Sequence, residues 1–596
     1  MDDGTGRPPA APDSTSPPWA LREYAVLADG ERGAVVDPQG RIVWLCAPRW
    51  HSDAVFSALI GGTGHFTVRP VDPWHVWGGA YEEDTLVRTQ RWVTPDSVIE
   101  CRDALALPAA TDRLVLLRRM RVVRGEARLR VELDARPGFG AHRLRDPRLD
   151  GDVWTAGGGG LRMRLLGARS AAWDPEAGLT GEFRLGRGER HDLVLELSEG
   201  PAGADAPRLD PDALWAATER EWRRAVPDCS ALAAPRDAGH AYAVLLGLTS
   251  ASGGMVAAAT TSLPERANSG RSYDYRYAWL RDQCYAGLAV AAHGPHELLD
   301  TAVGFVADRI LADGDRVRPA YTVAGGSMPQ ERSLPLPGYP GGSDRIGNQA
   351  ATQFQLDTFG EALQLFAAAA RHDRLTPEAE RAARIAVDAV ERRWTEPDAG
   401  LWELEDRWWT HSRLSVVCGL RHMARVLPGG DGRRCAETAD TVLAETRRRC
   451  LHPDGFWRRA ADDDGAEAAL LVPLARGGVA DGDPSARLTR DRIEKRLSQD
   501  GYLYRFERPG VPLGDAEGAF LLCGFHMALA THHLGDRVGA FRWFERTRAA
   551  CGPPGLFAEE FDVRQRQLRG NLPQAFVHAL LLECAVRLDD TAVLPP

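Results

Sequence analysis

Four short blocks of this chain concentrate side chains able to do chemistry on neutral polar molecules. The first, YDYRYAWLRDQ (Tyr273 to Gln283), packs three tyrosines, one tryptophan, two arginines and two aspartates into eleven residues. Flat aromatic faces suit C–H surfaces, and fork-shaped charged groups suit hydroxyls, which is the mixture a sugar needs. Composition alone fits equally well a helix N-terminus with a structural Arg–Asp pair. In the second, GSDRIGNQAATQFQLD (Gly342 to Asp357), Arg345 and Asn348 stand just before a long helical pattern and also suit a helix cap.

The third block, AGLWELEDRWWTHS (Ala399 to Ser412), places Glu403 after Trp402 and before a tryptophan pair. A carboxyl group among aromatic rings loses solvation, which favours its neutral form, and a neutral carboxylic acid is what a general acid must be. With Glu405 and Asp406 nearby, Glu403 also reads as a surface loop residue. In the fourth block, GLFAEEFD (Gly555 to Asp562), adjacent Glu559 and Glu560 precede a Gly-Asn-Leu-Pro turn and a closing helix. Either carboxylate could act as general base on a water, and in isolation the pair is also an ordinary acidic loop.

The elements that must position these blocks fall into two textures. From about residue 20 to 205, short apolar runs are broken by turn residues. DRLVLLRRMRVV and ARLRVELDARP alternate apolar and charged residues, the period of a half-exposed strand. GGGG at 157–160 lacks a following helical pattern and reads as a strand connection, not a phosphate cradle. Many short strands in succession predict an antiparallel β-sandwich. DPDALWAATEREWRRAV is an amphipathic helix capped by Asp210 with Pro211 in its first turn. Beyond residue 235 helical runs are expected near 237–250, 282–292, 296–312, 349–371, 376–393, 411–426, 433–449, 485–498, 517–534, 537–550 and 573–588. Such a count fits a toroid of helical hairpins or an α-solenoid, and the absence of a fixed-period repeat disfavours the solenoid. The expected division is therefore 1–18 as a disordered tail, 19–208 as the β-sandwich, 209–234 as a helical linker and 235–596 as the catalytic helical domain.

Other functions are excluded by composition. The 596 residues carry a formal net charge of −10, which repels nucleic acid, and no basic stripe is present. The ten cysteines form no CxxC pair and no zinc-spaced cluster, so they read as thiols of a reducing compartment. No GxSxG, P-loop, HExxH or DxDxDG loop occurs, and neither metal nor organic cofactor is expected. The acidic, proline-rich start lacks the basic and apolar regions of a signal peptide, and no apolar run spans a membrane. A cytoplasmic protein is predicted.

Taken together, the blocks resemble glycoside hydrolase family 15, the glucoamylase, glucodextranase and bacterial trehalase group. LADGERGAVVDPQGRIVWLCAPRWHSDAVFSALIGG looks like the opening of its β-domain, and TTSLPERANSGRSYDYRYAWLRD like the entry to its catalytic domain. QERSLPLPGYPGGSDRIGNQAATQFQLDTFGEAL, GLWE, DAEGAFLLCGF and GLFAEEFD…GNLPQAFVHALL follow in the family's order. The resemblance implies a β-sandwich joined to an (α/α)6 barrel with a pocket at one end, and hydrolysis with inversion that releases glucose from a terminal α-glucosidic bond. It implies Glu403 as general acid and Glu559, by motif register, as general base. It further implies Tyr275, Trp279, Arg281, Asp282, Arg345, Asn348, Trp402 and Arg505 as sugar-binding residues. An inverting site needs its two carboxyls roughly 6.5–9.5 Å apart with room for a water, and a ring-closed fold could bring Glu403 and Glu559 together. Two departures fall where the leaving sugar should bind. LEDRWW replaces the arginine-glycine pair usual in the trehalase-like pattern after GLWE, and Leu404 replaces the acidic residue of the glucoamylase pattern. The alternatives to a hydrolase are a phosphorylase of related architecture, which needs no base glutamate, and a catalytically altered sugar-binding protein.

Overall fold

The computed structural model describes residues 18–199 and 208–589, so the expected tail lies outside the described residues but for Pro18. Two antiparallel sheets are built from residues 25 to 199. The first runs, in spatial order, 25–28, 33–36, 42–46, 65–70, 127–134, 178–185 and 172–174, with 54–56 paired to 42–46. The second runs 145–150, 153–158, 161–166, 190–199, 113–124, 98–105, 88–93 and 76–81. GGGG closes the hairpin between 153–158 and 161–166, as a strand connection.

Alternation along the strands decides what each face meets. Leu27, Ala34, Ile42 and Leu45 pack with Ile99, Leu116, Met163 and Leu195 of the second sheet. Their neighbours Val26, Val35, Val43 and Trp44 pack instead with residues of the helical part, such as Leu245 of an early helix and Leu263 of a loop. The early strands are therefore buried on both faces, which is why they read as continuous apolar runs rather than alternating ones.

The helical part comprises α1 (Pro211–Ala225), α2 (Pro235–Leu248), α3 (Leu280–His293), α4 (Glu297–Asp313), α5 (Asp357–Arg371), α6 (Pro377–Arg393), α7 (Thr410–Val426), α8 (Gly429–Cys450), α9 (Leu471–Ala475), α10 (Pro484–Leu497), α11 (Leu521–His533), α12 (Arg537–Arg548) and α13 (Ala575–Arg587). Side-chain caps start several of them. Asp210, Thr376, Asp483 and Asp536 each accept a backbone N–H two or three residues on, and the first three precede a proline. Helices α3, α5, α11 and α13 are buried almost all round, whereas α6, α8 and α12 keep an exposed polar face. The buried helices touch in sequence: α3 with α5, α5 with α7, α7 with α9, α9 with α11, α11 with α13, and α13 with α3.

Two stretches differ from expectation. The helix expected from 349 begins only at Asp357, after a 3-10 turn at Ala350–Thr352. Side chains and turns rather than helical bonds satisfy the intervening backbone: Asn348 accepts from the Ala350 amide and Asp398 from the Leu356 amide. Helix α9 was not expected. LLVPLA is too short to show a helical period, and its Pro473 is tolerated because it falls in the first turn. Among the described residues no helix is long and apolar enough to cross a membrane. The cysteines are free thiols, all buried except the half-buried Cys551.

Candidate active site

The ten residues singled out from sequence line one cavity of about 330 Å3. Each reaches it for a local reason. Tyr273 and Tyr275 face the cavity because the segment is extended, while Asp274 and Arg276 between them are buried on the other side. Trp279 closes a two-residue strand paired to Ala320–Tyr321, and α3 starts at the next residue. Arg281 and Asp282 thus occupy its first turn, where the helix N-terminus favours an acidic side chain.

Glu403 sits on a tight turn. The Glu403 amide donates to Gly400 O at 3.1 Å and the Leu404 amide to Ala399 O at 2.9 Å, with Gly400 at φ +66° and Glu403 itself at φ +56°. Buried Asp398 anchors this turn: it accepts from the Gly400 amide at 3.1 Å, from Ser412 Oγ at 2.8 Å and from the Arg413 guanidinium. The Glu403 carboxyl accepts from Trp279 Nε1 at 2.8 Å and lies 3.7 Å from the Arg281 guanidinium, with its side chain 26% exposed. It is therefore not enclosed by rings, as the neighbouring tryptophans led us to expect. The Trp402 indole turns away to donate to Glu467, and Trp408 and Trp409 stack under arginines outside the cavity wall.

Glu559 is the more desolvated carboxyl. It is 6% exposed, and Tyr275 Oη lies 3.1 Å from both of its oxygens. Burial, then the charge of Glu265, push its carboxyl well above the usual range, against the pull of Arg505 and the Tyr275 hydroxyl. Gly570, at φ +83°, passes close by: a Cβ there would lie 3.4 Å from the Glu559 Cβ. Glu560 opens the strand Glu560–Asp562 and points the opposite way, fully buried, accepting from the Gly518 amide at 2.6 Å. Only Glu559 of the pair lines the cavity.

Asp282 is 1% exposed and belongs to the cavity wall, and its Oδ1 is buried without a hydrogen-bond partner. Burial raises its carboxyl to about 6, against the nearby Arg281 guanidinium. Arg345 bonds Glu331 at 3.3 Å and stays partly exposed at the rim. The Asn348 side chain is taken up by backbone, donating to Asp274 O and accepting from Ala350. Arg505 binds Glu517 through two nitrogens, at 3.3 and 2.6 Å, and stacks over Phe520.

Sequence reasoning passed over Glu265, Arg271, Glu331, Gln349 and Gln353, which share the cavity wall. Glu265 and Arg271 flank the tyrosine block, and the available signal was the acidic-basic pair within PERANSGR. Among the described residues no group of three or more His, Cys, Asp or Glu side chains is placed to hold a metal ion.

The chain matches the model for glycosyl hydrolases family 15 over residues 240–586, and a trehalase-like N-terminal model over residues 16–159. A trehalase of Mycobacterium tuberculosis is 28% identical over 645 aligned positions, covering 97% of this chain and 92% of that one. Trehalase 1 of Sulfolobus acidocaldarius is 27% identical over 601, covering 94% and 98%. The crystal structure of a bacterial glucoamylase complexed with acarbose superposes with a TM-score of 0.68, at 12% identity and 97% coverage of both chains, a likeness of fold. With more than half of its length matched by the family model, including every block that builds the cavity, this chain belongs to glycosyl hydrolases family 15 and is a glycoside hydrolase.

Proposed function

We propose that the chain hydrolyses a terminal α-glucosidic bond with inversion and releases glucose, with Glu403 as general acid and Glu559 as general base. Motif register supplies the roles, and one observation carries the pairing: two aromatic residues of one segment hold the two carboxyls at one cavity. Tyr275 binds Glu559, Trp279 binds Glu403, and the two rings meet edge to face at 5.5 Å. Glu403, on the side of the more exposed rim, protonates the leaving oxygen. Glu559 takes a proton from the attacking water, and the Tyr275 hydroxyl steadies its anion. The Arg281 guanidinium and the unpartnered Asp282 oxygen grip hydroxyls of the terminal glucose, which lowers the entropic part of the barrier. Trp402 and Arg505 border the same site, with Arg345 and Asn348 on the opposite loop.

A cavity of about 330 Å3 suits one or two sugar rings, which fits release of a terminal glucose from a disaccharide or short oligosaccharide. The names of the relatives put trehalose first, and the acarbose complex of the fold neighbour makes malto-oligosaccharides the next candidates. A phosphorylase needs no base, and the Tyr275-held Glu559 argues against that reading.

The cycle of contacts from α3 through α5, α7, α9, α11 and α13 back to α3 supports reading the helical part as an (α/α)6 toroid. The shared core of the two sheets supports a β-sandwich. We read residues to 208 and residues from 235 as two domains joined by α1, and the free thiols as fitting a reducing cytoplasm.

Purified protein incubated with trehalose, maltose, isomaltose, maltotriose and kojibiose, followed by proton NMR, tests the proposal. β-Glucose is expected as the first product from at least one substrate, and Glu403→Gln and Glu559→Gln should each lower kcat by about 10²–10⁴-fold. α-Glucose as the first product overturns inversion, and full activity in either variant overturns the assigned role.

A further inference from the structure

Glu559 stands among more carboxylates than arginines can neutralise. Glu265, Glu517, Glu559 and Glu560 are each at most 6% exposed. Among the described residues, the arginines in contact with these carboxyls are Arg271, Arg505 and Arg508, three guanidiniums to four carboxyls. The cations are also unevenly shared. Arg505 binds Glu517 through two nitrogens, Arg508 binds the same carboxylate at 2.9 Å, and Arg271 lies 3.7 Å from it. Arg271 makes its close contact with Glu265, Nε to Oε2 at 2.6 Å. Among the described residues, the side chain that hydrogen-bonds the Glu559 carboxyl is Tyr275, not an arginine.

We infer that Glu265 is a positioning residue for the base: it occupies Arg271 and adds negative charge to the cavity wall that Glu559 shares, so that Glu559 stays unclamped by a guanidinium. The inference rests on reading Glu559 as the base. A carboxylate held by a guanidinium is a weak base, and a general base gains as its pKa is raised from the ordinary carboxylate range toward the operating pH. The groups facing Glu559 all enter the balance. Tyr273, Tyr275, Glu265 and Arg271 come from the segment before α3, Arg505 and Glu517 from the segment before α11, and Glu560 from its own strand; Glu403 lies across the cavity. Of these charges Glu265 is the leading one that raises the proton affinity of Glu559, ahead of the opposing pull of Arg505 and Arg271.

Glu265 also has a structural task, since its amide donates to Arg271 O at 3.1 Å and the side-chain pair closes the same loop. Charge and architecture can be separated. Glu265→Gln keeps an oxygen for Arg271 Nε but removes the charge, and Glu265→Asp keeps the charge. The experiment is the pH dependence of kcat/KM for wild type, E265Q, E265D, R271Q and E559Q, on the substrate turned over fastest, with thermal melts of each.

The base works only when ionised, so activity falls as pH drops through its pKa. E265Q should move this acid limb down by about one pH unit and lower the plateau by about two- to five-fold. E265D should keep the wild-type limb. Arg271→Gln, which removes the cation instead, should move the limb upward, and it provides the test if E265Q does not fold. Loss of turnover in E559Q, with the E265Q limb unmoved, overturns the role of Glu265 alone. An R271Q limb that moves down overturns it as well. Turnover retained in E559Q removes the base reading, and this inference with it.

Discussion

Glu403 stands at φ +56°, in the left-handed region where a side-chain-bearing residue is strained. The turn demands this conformation, because it is closed by two backbone bonds and tied down through Asp398. The strain, about 1–3 kcal/mol, is the cost of aiming the carboxyl at the Trp279 indole. Asparagine tolerates the left-handed region better than glutamate, so Glu403→Asn should raise stability by about 1 kcal/mol while abolishing most activity. Urea unfolding midpoints check this, and a lower midpoint for the variant would show that the turn is not strained. At this scale the sequence was informative where motif and chemistry coincided. Glu403 and Glu559 stood out because each lay in a short block of unusual composition. Glu265 and Arg271 did not, because their importance comes from the electrostatics of the cavity wall, and an acidic-basic pair in a polar loop looks like any solvated pair. The tryptophans around Glu403 misled for the converse reason: adjacency in sequence placed Trp408 and Trp409 beside it, and the turn carried them elsewhere.

Between α5 and α7, which bear the second and third blocks at their N-terminal ends, the packing is unusually close. A Cβ on Gly419 would lie 2.5 Å from Gly360 O and 2.8 Å from the Leu363 Cβ. Neither neighbour is a flexible side-chain tip that could swing aside. Gly419→Val should therefore push the two helices apart and destabilise the protein by about 1–3 kcal/mol or more. It should also raise KM, because the loop before α5 and the Glu403 turn before α7 move with their helices. Gly430→Ala, at a position on α8 where an added Cβ meets nothing, is the control and should leave both melting and KM unchanged. Equal KM values for G419V and wild type would sink the argument that this contact positions the cavity. Helices were the most legible elements, since α6 repeats buried Ala and Val every three or four residues and starts with a Thr-Pro cap. They became illegible where tertiary partners replaced helical bonds, as at residues 349–356, or where one turn was too short to show a period, as in α9.

The first sheet reaches the active-site segment in part through a buried arginine. Arg276, in the middle of the tyrosine block, faces away from the cavity. It forms two contacts with Asp274, at 2.9 and 2.8 Å. It also reaches the first sheet and its adjoining loop, donating to Ser52 O at 3.0 Å, Trp50 O at 3.4 Å and Cys46 Sγ at 3.2 Å. Asp274 in turn accepts from the Gly347 amide of the second block at 3.0 Å, so one ion pair ties the first sheet and its loop to two walls of the cavity. From sequence alone a structural Arg–Asp pair and sugar ligands were equally open for the charges of this block, since nothing local says which side of an extended segment will meet another part of the chain. Breaking one partner of a buried pair leaves an uncompensated charge and costs about 3–5 kcal/mol, whereas replacing both with neutral groups costs much less. Arg276→Met should lower stability by that larger amount, and the double variant R276M/D274N should recover much of it. Activity should not follow the same course. The double variant still lacks the donors that reach Trp50 and Ser52, so Tyr275 loses its register and kcat stays low although the fold is restored. Chemical unfolding together with steady-state kinetics on both variants separates the two effects. Full kcat in the refolded double variant would mean that the sheets support the helices without placing the catalytic residues.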